Sequence, residues 1–226
     1  MCRIDPSNFQ NVEKDRRKNK RKVAVVFDIL ILGGGVSGIS CGLVLGSAKN
    51  RPFASTKKIG IFTHQKTSSL QEALFNNAYG IPPGVLGSDL LKDSIAHLSK
   101  TYPHISQIPG EKILKIEGVY PDFIVTSNKT SYKTKIIVVG IGSANTFAIQ
   151  GLMQYVEQHQ KSLPEKQRIQ LKNYDHKIAD GLYVIGTLAG WRSQLAIAAG
   201  SGAAVATDIL TLWNDGIQTH AHDSIR

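Results

Sequence analysis

Residues 27–43, FDILILGGGVSGISCGL, restrict what this chain can fold into more than any other stretch. An apolar run breaks into three consecutive glycines and resumes with helical character. Gly33, Gly35 and Gly38 satisfy G-x-G-x-x-G at the end of an expected strand and the start of an expected helix. The first glycine permits the tight turn, and the second removes a side chain where the backbone meets a pyrophosphate. The third, with Gly42 four residues on, lets the helix pack close to a sheet. Gly34, Val36 and Ser37 complete the cradle, where an anion would lie at the positive end of the helix dipole. The stretch therefore predicts a bound dinucleotide.

The motif also predicts a carboxylate near the end of the second strand, for the ribose hydroxyls. That strand ends Phe62-Thr63-His64-Gln65 and has none. Thr63, His64 and Gln65 are left to hydrogen-bond a ribose. Lys66 or His64 could instead tolerate a phosphate, which keeps NADP open.

Along the chain, Val23 to Leu32 and Lys58 to Thr63 read as strands, with a helix from Val36 to Leu45 between them. The span 64–87 reads as loop, since Gly80, Pro82, Pro83 and Gly84 punctuate it. A helix is expected over Ser88 to Ser99 with Ser88 as its N-cap. The runs EKILKIEGV, DFIVTS and SYKTKIIVVG, separated by short turns, predict an antiparallel meander. Phe147, Leu152, Tyr155 and Val156 predict an amphipathic helix over Ala144 to Ser162, a candidate homodimer surface. Leu182 to Ile185 reads as a strand and Gln194 to Trp213 as a helix rich in small residues. The whole predicts one doubly wound, Rossmann-type α/β domain over 23–215 with an inserted antiparallel β-meander, preceded by a basic arm (1–22) and followed by a tail (216–226).

The net charge of +10 points to nucleic acid only until it is divided: residues 14–22, KDRRKNKRK, carry +6 of it and leave +4 elsewhere. No aromatic interleaving or recognition helix accompanies the arm, so no specific nucleic-acid partner is expected. No window approaches the ~20 uninterrupted apolar residues of a membrane span, and no secretory signal with a cleavage site is evident. The expectation is a cytoplasmic protein. The only cysteines are Cys2 and Cys41, which form neither a zinc site nor a CxxC pair. No Ser/His/Asp set or paired carboxylates stand out, and no metal site is expected.

Four stretches carry a family resemblance: FDILILGGGVSGIS, NAYGIPPGVLGSDLLKDS, IIVVGIGSA and GLYVIGTLAGWRSQLAIAAGSGAA. Together they resemble the thioredoxin-reductase-like branch of the FAD-dependent pyridine nucleotide–disulfide oxidoreductases, over roughly residues 24–215. In that family the glycine fingerprint is followed by a "YPG" loop, a meander ending in an "ATG" turn, and a C-terminal "GD" before a helix. Gly80, Ile81 and Pro82 match the loop, Gly140 and Gly142 the turn, and Gly186 the C-terminal glycine. Gln194, Ala198, Ala199, Gly200 and Gly202 match the helix after it. The resemblance implies FAD, with the adenine half on the first turn and the flavin half under residues 186–202. It puts Trp191, Arg192, Ser193, Gln194 and Leu195 near the ring, where the start of the last helix would favour negative charge on a reduced flavin.

The chain departs from that family at two places. Thr187 stands where the family has Asp. Only Ser143 to Asp180, 38 residues without a cysteine or a second fingerprint, stands where the family inserts an NADPH-binding domain with its CxxC. Two readings stay open. One is a single-domain flavoprotein oxidoreductase exchanging electrons with a small molecule or a partner protein. The other is a catalytically degenerate nucleotide-binding protein acting through partner binding. Cys41, three residues beyond Gly38, is expected to be a buried structural thiol.

Overall fold

The computed structural model describes residues 25–63, 70–219 and 221–222. The basic arm and His64 lie outside the described residues. Strand β1 (Val25–Leu32) leads into α1 (Val36–Ser47), then β2 (Ile59–Phe62). A small hairpin, β3 (Leu74–Phe75) and β4 (Val85–Leu86), precedes α2 (Gly87–Thr101) and β5 (Ser106–Ile108). The meander is β6 (Ile113–Glu117), β7 (Phe123–Ser127) and β8 (Ser131–Val139). Then come β9 (Val156–Gln158), β10 (Ile169–Leu171), β11 (Lys177–Ala179), β12 (Leu182–Val184) and α3 (Leu195–Trp213).

The main sheet runs in the order β11-β12-β8-β1-β2-β5, with β7 pairing β8 and β6 pairing β7. β12, β8, β1, β2 and β5 are mutually parallel, and β11, β7 and β6 are antiparallel additions. Both faces of the parallel strands are covered, which is why Ile29 to Leu32 of β1 read as an unbroken apolar run rather than an alternating one. Ile29 and Ile31 pack with Ile39, Cys41 and Leu45 of α1, Leu98 of α2 and Val205, Ile209 and Leu210 of α3. Leu30 and Leu32 face the opposite way, against Val125 of the meander, Leu152, Leu171 and Leu188. The expected doubly wound sheet with its meander is therefore the observed architecture.

Helix α3 is long and apolar enough to cross a membrane. Here it is a core helix: Val205, Ala206, Ile209 and Leu210 are fully buried against α1 and the sheet.

Three local expectations are corrected. The helix over 144–162 does not form. Gln150 instead runs beside β6: its N–H donates to Leu114 O at 3.0 Å and its carbonyl accepts from Ile116 N at 2.9 Å. Gly151 follows at φ +89, where a Cβ would fall 2.0 Å from Ile116 O. The apolar residues at helical spacing still pack inward (Leu152 is fully buried), but from a short 3-10 turn and β9. Tertiary pairing has overridden local helix preference. Ser88 is not an N-cap, because α2 begins one residue earlier. Gly87 donates to Ala73 O at 2.8 Å, and its Cβ would lie 1.9 Å from Leu70 O, so the helix starts where only glycine fits. The 70–87 part of the expected loop holds the β3–β4 hairpin.

Candidate functional site

The parallel register brings the sequence motifs to one edge. Leu32 pairs with Phe62 on one side and Val139 on the other, and Val139 pairs with Val184. Gly33, Thr63, Gly140 and Ile185 therefore leave the sheet side by side. Backbone bonds close this rim: Thr63 N to Ile108 O at 3.1 Å, Gly140 N to Leu32 O at 2.8 Å and Ile185 N to Val139 O at 2.9 Å. The carboxyl edge of an open α/β sheet is where such folds bind ligands.

At the β1 end, Gly33 adopts φ +121 and sits so close to the β8 turn that a Cβ would be 2.4 Å from Gly140 O. A Cβ on Gly38 would be 1.8 Å from Gly33 O, so the first helical turn folds directly over the loop. Gly35, by contrast, has nothing within 4 Å of a built Cβ and faces open space. It is the N-cap of α1, with no side-chain capping bond and no acidic residue in the first turn. The leading N–H groups of a helix have no partner inside it, and none of the usual carboxylates offsets the dipole here.

The β12 end is reached through Ser37. This buried residue has its Oγ 2.8 Å from a Cβ built on Gly186 and 3.3 Å from one built on Gly140. Its carbonyl would lie 1.9 Å from a Cβ on Gly202, which lets α3 cross α1 in backbone contact. Ser40 Oγ donates to Ala199 O at 2.8 Å across the same crossing. Gly186 (φ +69) donates its N–H to the buried Ser201 Oγ at 2.8 Å. Gly142 (φ +85) is exposed, with open space on its Cβ side. Thr187 is half-buried in a 3-10 turn over Gly186–Ala189, its carbonyl accepting from Gly190 N at 3.0 Å. Arg192, Ser193 and Gln194 are exposed, and Leu195 is half-buried. Gln194 caps α3 with its backbone alone, and the first turn of α3 carries no acid.

The structure thus brings Gly33, Gly34, Gly35, Val36, Ser37, Gly38, Thr63, Gly140, Gly142, Gly186 and Thr187 to one rim. Residues 192–195 form the approach to and the start of α3. Trp191 turns instead toward the preceding segment, with its ring 5.9 Å from that of His176 and Lys161 Nζ 4.5 Å from its centroid. Sequence reasoning missed Ser201, Gln170, Asn173 and His176 around the 186–190 turn, and no motif marks them. Cys41 is fully buried, and burial pushes its thiol far up from the ordinary value. Among the described residues no group of three His, Cys, Asp or Glu could hold a metal.

No family model matches the sequence, and no curated protein matches it. Solved structures do. A thioredoxin reductase from Gloeobacter violaceus matches with a TM-score of 0.66 at 13% identity, over 89% of this chain and 99% of that one. An oxidoreductase from Agrobacterium tumefaciens matches at 0.65 and 11%, over 83% and 99%. A ferredoxin-flavin thioredoxin reductase from Clostridium acetobutylicum matches at 0.61 and 16%, over 84% and 99%. The fold is that of the thioredoxin-reductase-like oxidoreductases. Within that fold, Ser143 to Asp180 forms two 3-10 turns and the short strands β9, β10 and β11, with no α-helix and no βαβ unit.

Proposed function

We propose that this chain binds FAD along the rim and serves as a single-domain flavin oxidoreductase. The carrying observation is that two helices, α1 and α3, start at this site without side-chain caps or first-turn acids, on either side of glycines whose Cβ atoms would obstruct the backbone. The α1 start and the open face of Gly35 suit a pyrophosphate. Thr63, at the end of β2, would serve the adenosine side. Gly140, Gly142, Gly186 and Thr187 would line the middle, and Arg192 to Leu195 would hold the flavin end. Bound there, FAD supplies the electron-transfer chemistry. The chain's own residues orient it: α1 offers N–H donors to the diphosphate, and the start of α3 offers donors and positive potential.

The electron donor and acceptor in this reading are a small molecule or a partner protein in the cytoplasm. A CxxC dithiol relay is not part of it, because the chain has cysteines only at 2 and 41, and Cys41 is buried with its thiol held protonated. Thr187 favours a second reading, a nucleotide-binding protein acting through partners, since one hydroxyl replaces the carboxylate that the resemblance implies.

Purified protein should show the visible absorbance of oxidised flavin, or acquire it on reconstitution with FAD. A colourless protein that cannot be reconstituted would overturn the proposal. Gly35→Asp puts a carboxylate at the expected pyrophosphate position without a steric clash. FAD retention should be lost while the fold persists. Anaerobic mixing with NADPH or NADH should bleach the flavin little, and rapid bleaching would mean that a nicotinamide site exists.

A further inference from the structure

The Gly186–Gly190 turn is bracketed by two left-handed glycines, at φ +69 and +87, and Gly190 N closes it on Thr187 O at 3.0 Å. Glycine has the most conformational freedom to lose, so such a turn needs holding. On the α3 side it is held by Ser201. On the other side it is held by the segment between β8 and β12. β9 and β10 pair antiparallel with Glu157 opposite Gln170. Gln170 is 7% exposed and bonded at both ends of its amide: its Oε1 accepts from Gln160 N at 3.0 Å and its Nε2 donates to Glu157 Oε1 at 2.7 Å. These two partners fix which end of the amide is which, since a flipped amide would face donor to donor and acceptor to acceptor. The amide so fixed lies against Gly190, where a Cβ would come 2.7 Å from Oε1.

Three more side chains of the segment reach this turn or the residues flanking it. Asn173 Nδ2 donates to Leu171 O at 2.7 Å and to Ala189 O at 3.3 Å, while its Oδ1 accepts from His176 N at 3.1 Å. A bond at 3.0 Å joins His176 Nδ1 and Val184 O, two residues before the turn, and the His176 ring meets Trp191 just after it. Lys161 lies over that indole.

We propose that residues 156–176 are a built-in clamp that sets the shape of the 186–191 turn, with Gln170 as its principal positioning residue. The clamp thereby sets how tightly the β12 end of the rim holds FAD. This second clause rests on the FAD reading above; the first does not. The test uses the full chain carrying Trp213→Phe, which leaves Trp191 as the sole tryptophan. Gln170→Ala removes the amide, and Gln170→Glu keeps its shape but sets two carboxylates against each other across the hairpin. In both, acrylamide quenching of Trp191 should rise and the FAD dissociation constant should increase about tenfold. Adding Glu157→Gln to Gln170→Glu restores a donor facing an acceptor and should return both readouts toward their starting values. Unchanged quenching in both single variants overturns the clamp. Increased quenching with unchanged FAD affinity overturns its link to the cofactor end. A parent protein that takes up no FAD overturns the FAD reading instead, and quenching with its rescue then decides the clamp alone.

Discussion

At the β1 end of the rim, the turn, the helix start and the contact that locks them all fall within Gly33–Gly38. At the β12 end, the turn beginning at Gly186 depends on Ser201, 15 residues away, and on Asn173, 16 residues from the carbonyl it bonds. The first end is a local device, in which backbone meets backbone and only glycine fits. The second is assembled by the tertiary fold from polar side chains that hold a pliable turn. Contacts of the first kind have no means of relaxing, whereas contacts of the second kind can be lost one at a time.

The largest effect should therefore come from Gly38→Ala. Its new methyl would sit 1.8 Å from the carbonyl of Gly33, and that carbonyl belongs to a turn already pressed against Gly140. Helix and sheet must separate to admit it, at about 3 kcal/mol or more. A urea midpoint giving less than about 1 kcal/mol would show that the local end yields more than its geometry implies. Ser201→Ala tests the other end. It leaves the buried N–H of Gly186 without its acceptor, and a stranded buried donor costs about 1–3 kcal/mol. The same urea titration should place it below Gly38→Ala. A larger loss from Ser201→Ala would invert the comparison.

The same contrast explains how much of the molecule the sequence discloses. Gly33, Gly35 and Gly38 announce their turn because all of its determinants are contiguous. The alternation of Ile29 and Ile31 with Leu30 and Leu32 is hidden by burial on both faces, yet an unbroken run is itself the mark of a covered parallel strand. The meander is legible from its turns. Residues 144–162 mislead because Phe147, Leu152, Tyr155 and Val156 have helical spacing, while the decisive facts lie elsewhere in the chain. Those facts are the backbone bonds of Gln150 to β6 and the approach of Gly151 to Ile116. Gln170, Asn173 and His176 are likewise ordinary polar residues until the fold sets them around Gly190 and Trp191. Thr187 and residues 192–195 could be found only through the family resemblance, since neither spacing nor composition distinguishes them.

Acidity should separate the β1 and β12 sides of the fold by sign, with the smallest effects of all. Asp28 sits in the first half of β1, four residues before Leu32. Burial raises its pKa, but the Lys58 N–H at 2.9 Å, Lys135 Nζ at 3.0 Å and the charge of Lys57 outweigh burial and hold it below the ordinary 3.8. A depressed folded-state pKa gives stability that is complete above the ordinary value and is lost as pH falls through the folded one. Because Lys135 is largely exposed, Asp28→Asn should cost no more than about 1 kcal/mol at neutral pH and remove that acid-side loss. Asp208 on α3 is shifted the other way: burial and then the charge of Asp175 raise its pKa, with His176 opposing. Its carboxylate is therefore a small burden at neutral pH, relieved as pH falls through the raised value. Asp208→Asn should gain a few tenths of a kcal/mol at neutral pH. Urea titrations at neutral pH and near pH 3.5 read both effects. If the two variants shift neutral-pH stability in the same direction, the opposite electrostatic strain assigned to the β1 and β12 sides of the fold is wrong.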